Sequence, residues 1–178
     1  MRRWCVMLAL LLGVSGCAAK LPPSGFAQSG PAFNPLAFFA GHVTSWGVEE
    51  NRAGQPTAIV TTNCVGKMTG PDTLRMVQTL HVGNNPAQTR IWQFTRIGPN
   101  TYVGRANDMV GVAQGVVSGR AFHWRWVLAT HPGDVLGNVT MSQWMYQMGD
   151  GAVMIRTVVS KFGVSLIEVS EQFHAAGS

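Results

Sequence analysis

AFHWRWVL, residues 121–128, alternates along its length. Phe122, Trp124, Trp126 and Leu128 take every second position, with His123, Arg125 and Val127 between them. In a strand, successive side chains point to opposite faces, so the three aromatics and the leucine share one side. A helix of 3.6 residues per turn would set Trp124 and Trp126 about 200° apart. The stretch therefore reads as a strand with one apolar face.

Outward from it the same reading extends to 42–50, 57–68, 73–82, 88–97, 101–107, 112–118, 137–147, 152–160 and 164–174. Turn residues bound these segments, among them GNNP, GPN, HPGD, GDG and FG. Only residues 35–40 suggest a short helix or 3₁₀ turn. About ten short, regularly spaced strands predict an all-β domain, either a sandwich or an antiparallel meander closed into a barrel. The links are hairpin-short, which favours the barrel, and closure removes exposed sheet edges. No internal repeat is visible.

The amino end is organised differently. Arg2 and Arg3 precede an uncharged apolar run, 4–14, then small Ser15 and Gly16, then Cys17. Charge, apolar segment and small residues in that order read as a secretory signal. A spanning helix needs about 20 apolar residues, and this run is shorter. Residues 20–35, KLPPSGFAQSGPAFNP, are rich in Pro, Gly and Ser and read as an extended tether. The expected organisation is a signal peptide at 1–16, Cys17 and a flexible tether over 17–34, and one β-domain over 35–178.

Val14-Ser15-Gly16-Cys17 resembles the lipobox of bacterial lipoproteins. That resemblance implies a diacylglycerol on the Cys17 sulfur, cleavage after Gly16, and acylation of the new amine. Each buried methylene contributes about 0.8 kcal/mol, so two or three chains anchor a protein without a spanning helix. Ala18 stands where an inner-membrane retention signal carries Asp, which by analogy implies the outer membrane, facing the periplasm. Of the 3 cysteines, Cys5 leaves with the signal and Cys17 is acylated. Cys64 then has no intramolecular partner even in an oxidising compartment, and its place in a predicted strand favours a buried, inert thiol over a reactive one.

Charge excludes one class of partner. The chain has 13 Lys and Arg against 8 Asp and Glu, a net +5. Loss of Arg2 and Arg3 brings this to about +3, and the basic residues are scattered singly, unlike a nucleic-acid-binding surface.

The chemistry-bearing residues form no recognised catalytic motif. The histidines are His42, His81, His123, His131 and His174, without HxH or HExxH spacing, so no metal is expected. There is no GxSxG elbow. GRANDMVGVAQG, 104–115, lacks the lysine of a phosphate loop and reads as a tight connection between strands, with Asp108 accepting from that turn's amides. No cofactor is implied. Trp46, Trp92, Trp124, Trp126 and Trp144 either fill the barrel or wall a ligand chamber. Arg90, Arg96, Arg105, Arg125 and Arg156 lie within strands. Most in-strand arginines face solvent. One facing inward would be a fixed cation suited to a carboxylate or phosphate. Arg105 is the first candidate, although Tyr102, Gly104 and Ala106 compete with Val103 and Arg105 for the inner face.

FFAGHVTSWG, 38–47, resembles the opening of lipocalin-like barrels, with Gly41 and Trp46 in the role of the glycine and the plugging tryptophan. A wider likeness rests on NPLAFFAGHVTSWGVEENRAG, RIWQFTRIGPNTYVGRANDMVGVAQG, SGRAFHWRWVL, SQWMYQMGDG and VSKFGV. Together these resemble the proteobacterial lipoprotein family called domain of unknown function 3833, over residues 34–173. Its most specific block is 102–115, with Arg105 and Asp108 inside it. The sequence departs from the family at MSQWMY, 141–146, where Ser142 and Gln143 stand in place of acids. The resemblance implies a lipid-anchored barrel and assigns no reaction.

The leading functional expectation is a binding module that holds a fatty-acid-like or other amphipathic ligand among Trp46, Trp92, Arg105, Asp108, Trp124 and Trp126. A packed barrel that meets an envelope protein partner is the second. An enzyme acting on lipid, using Asp108 with His123, is the third.

Overall fold

A computed structural model describes residues 23–131, 133–149 and 151–176. Ten antiparallel strands close into one barrel in sequence order, with β1 hydrogen-bonded to β10. They are β1 Gly41–Asn51, β2 Pro56–Gly70, β3 Thr73–Val82, β4 Gln88–Arg96 and β5 Thr101–Ala106. β6 Met109–Ser118, β7 Ala121–Leu128, β8 Val139–Gly149, β9 Ala152–Lys161 and β10 Val164–Ala175 complete it. The all-β barrel expected from the alternation, and lipocalin-like by the resemblance at 38–47, is the fold observed. The expected signal segment 1–16 and Cys17 lie outside the described residues.

Register fixes which side chains face inward. Val43 lies opposite Cys64, Trp124 opposite Gln143, and Ile155 opposite Met145. Facing pairs share a side of the sheet. Phe122, Trp124 and Trp126 all point inward and are buried, as the alternation at 121–128 required. They pack with Trp92, Phe94 and Tyr102 in a run of tilted and edge-on rings, 4.8–5.8 Å between centroids.

One end of the barrel is plugged. Asn34 caps a short helix, α1 Pro35–Phe39, by accepting from the Ala37 amide at 3.2 Å. Pro35 fits its first turn, where an amide would have no partner. Leu36 and Phe39 are buried, and the Phe39 ring meets Phe173 edge-on at 6.1 Å. The plug is therefore α1, and Trp46, expected in that role, is 60% exposed on the outer surface, near His174. The reason is parity: Val43 and Ser45 are buried inward positions of β1, so Trp46 between them and Gly47 faces out.

The described part of the segment expected to be a flexible tether, 23–34, also differs. A 3₁₀ turn, Pro23–Phe26, and the residues after it lie against the plugged end. Phe26 packs on Tyr146, Ser29 Oγ accepts from the Arg120 amide, and buried Phe33 donates its amide to the Gly119 carbonyl. Two aromatics in a Pro- and Gly-rich stretch give it enough apolar surface to dock.

Candidate functional site

The inward-facing rows change character along the barrel. Near α1 they are buried and aromatic. Toward the other end they are aliphatic and half-buried. Leu80 and Val82 face inward opposite buried Thr62 and Val60, yet solvent reaches them. Val169 stands opposite buried Thr157, and Val159 opposite both Ile167 and Met141; all four are half-buried. Leu128 and Met141 continue the row above Trp126 and Gln143. The barrel is thus a cup, closed by α1 and open at the β1–β2, β3–β4, β5–β6, β7–β8 and β9–β10 turns.

A layer of polar side chains floors the cup. Arg90 is 8% exposed on β4 and faces inward with Trp92 and Phe94. Asp108, in the β5–β6 connection, holds it: Arg90 Nε donates to both carboxylate oxygens at 2.8 Å, and a terminal nitrogen reaches Oδ2 at 2.8 Å. The guanidinium also lies 4.6 Å from the Trp126 ring centre and 5.8 Å from that of Trp92. Charge, ring face and two-point hydrogen bonding together make this a strong pairing. Gln143 Oε1 accepts from Trp124 Nε1 at 2.7 Å and Trp126 Nε1 at 3.0 Å, while its amide nitrogen donates to Thr157. Gln78 Oε1 accepts from Trp92 Nε1 at 3.0 Å.

Glu171 completes the layer and is 7% exposed. Ser45 Oγ and Thr62 Oγ1 both donate to its Oε1, at 2.7 and 2.8 Å. Burial raises the carboxyl above its ordinary range, and the two hydroxyls partly oppose that by stabilising the anion. Cys64, fully buried, is pushed up to about 12, by burial first and by the Glu171 charge second. A cavity of about 40 Å³ lies among these groups, bounded by Gln78, Arg90, Gln143, Glu171 and the apolar Trp92, Met76 and Met145.

The residues named from sequence fall into two sets. Trp92, Trp124 and Trp126 face the interior, and Asp108 reaches it through Arg90. Trp46 and Arg105 do not: Arg105 is exposed on the outer wall and donates to the Gly111 carbonyl. Its inner neighbours are Tyr102 and Gly104, both buried, and the Gly104 position is small enough for the Trp124 ring to lie against it. The buried inward arginine is Arg90; Arg125 and Arg156 face out, Arg156 pairing with Glu168, while Arg96 stands opposite Tyr102 at the exposed end of β4 and pairs with Asp72. Asp108 and His123 are not brought together. His123 points outward, bonded to Ser142 and stacked on Trp144 at 4.2 Å. Glu171 was missed and Arg90, one of the five in-strand arginines, was ranked behind Arg105, although a signal existed: each stands two positions before a core aromatic, Phe173 and Trp92, in an alternating strand. Among the described residues no cluster of His, Cys, Asp or Glu could hold a metal.

This geometry defines a class, the lipocalin-like closed antiparallel barrels with an internal polar layer. Within it, the chain belongs to the family described as Protein of unknown function (DUF3833), whose model matches residues 11–175. Its fold is similar to that of the S-type phycobiliprotein lyase of Guillardia theta, with a TM-score of 0.59 and 9% identity. The likeness covers 80% of this chain and 91% of the lyase. No curated protein matches the chain.

Proposed function

We propose that this protein is a lipoprotein of the outer membrane, facing the periplasm, whose barrel takes one small amphipathic, lipid-like ligand through the end opposite α1. The supporting observation is the passage along the inward rows from buried aromatics to half-buried aliphatics above a polar floor. Apolar walls with a few placed polar groups are what an amphipathic ligand needs. The 40 Å³ cavity has room for a few waters at most, so the ligand's chain lies in the open half and only its polar end enters the floor.

The test is native mass spectrometry of the purified protein with single-chain amphiphiles of graded length. The expected result is a one-to-one adduct, lost when Leu80→Trp and Val169→Trp fill the cup. No adduct at any length overturns the reading.

A second reading, an interaction module that meets an envelope protein partner, draws on two facts. The lower half of the barrel is packed, and Val135, Leu136 and Phe162 stand well exposed at turns of the open end. In a strain with a deletion phenotype, it expects the cup-filled variant to keep function and a variant with polar residues at those three tips to lose it.

A further inference from the structure

The charges inside the barrel do not balance. Arg90 is matched by Asp108. Glu171 is not matched: none of the ion pairs among the described residues includes it, and its partners are two hydroxyls. Both hydroxyls converge on Oε1, so Oε2 accepts from no described group, and Glu171 borders the cavity. Bordering a cavity with room for a few waters, that oxygen is free to accept from a donor placed there.

The position is suited to supply one from a ligand. Glu171, Gln143 and Gln78 each sit one inward step below half-buried Val169, Met141 and Leu80. A chain lying against those aliphatic residues would bring its polar end to this layer. Gln78, whose Oε1 is taken by Trp92, keeps its amide N–H groups for an acceptor. A free carboxylate head would instead set a second negative charge beside Glu171, at low dielectric, with the one inward guanidinium below the rim already neutralised.

We propose that Glu171 is the head-group acceptor of the barrel: the ligand's polar end carries a hydrogen-bond donor, as an ammonium, hydroxyl or amide does, and is not a free carboxylate. This rests on the open-barrel reading above. Ser45 and Thr62 are positioning residues that hold Glu171 through its other oxygen. The ligand class is therefore a long-chain amine, alcohol or amide, and fatty acids are rejected.

The experiment titrates the purified protein at neutral pH with dodecylamine, dodecanol and dodecanoate, the two ionic amphiphiles below their micelle concentrations and the alcohol below its solubility, following tryptophan fluorescence and native mass. The amine and the alcohol should each bind about tenfold tighter than the carboxylate or better. Glu171→Gln should weaken the amine by about tenfold and bring the three within about threefold of each other. Carboxylate binding as tight as the amine overturns the assignment, and so does a ranking unchanged by Glu171→Gln. If all three bind alike, the barrel reading stands and only the head-group assignment falls. If none binds, both fall. Should Glu171→Gln fail to give a cooperative melt, the wild-type ranking decides.

Discussion

Asp108 grips Arg90 through both of its oxygens at the edge of the core. Removing one partner of such a pair leaves the other charge behind, at about 3–5 kcal/mol for full burial. Asp108 keeps 27% of its side chain exposed, so Asp108→Ala should cost about 2–3 kcal/mol in urea unfolding, less than the fully buried case. Arg90→Met should cost less, because the stranded carboxylate can reach water. Glu171 gives a pH-dependent prediction. Its folded-state carboxyl binds a proton more tightly than the unfolded one, whose ordinary value is 4.5. The resulting stabilisation is fully present below that value and disappears as pH rises through the higher folded value. Calorimetry should therefore show Glu171→Gln gaining stability relative to the parent between pH 4 and pH 8. Cys64, held near 12 and fully buried, should resist alkylation in the native state and react once the chain unfolds, as peptide mapping will read.

At the scale of elements, the strands were legible because period-two alternation survives wherever one face is packed. It blurred at β5, where the inner positions are Tyr102 and Gly104. Gly104 leaves its space to the Trp124 ring, so the inner face shows a gap where an apolar residue would have marked it. Arg105 comes first from the sequence because it lies in the family-like block 102–115, and that gap leaves nothing in the alternation to turn it outward. The docked stretch before α1 was hidden by composition: proline and glycine suggested a linker, while Phe26 and Phe33 supply the contacts. Residues that meet only in three dimensions, such as Glu171 with Ser45 and Thr62, leave no local pattern at all. The plug makes its own prediction. A methyl group added at Gly66 would run into the Phe39 carbonyl, a backbone atom that cannot swing aside. Gly66→Ala should push α1 off the barrel end and lower stability by about 1–3 kcal/mol, read as an earlier melting transition.

For the whole molecule, anchoring and closure are the two questions. The proposed lipid anchor predicts that Cys17→Ser moves the protein from the membrane to the soluble fraction and abolishes palmitate labelling. Closure rests on β1 and β10, which pair Val43 with Ala175 across most of the sequence. Contacts so distant along the chain are slow to form, because their loop must be closed before they reward it. A ribosome that has made β1 to β9 has made a sheet with nothing to shut it. The nascent chain thus stays unclosed until β10 emerges, and a stall at that moment leaves β1 and β9 as bare edges ready to join a neighbour's.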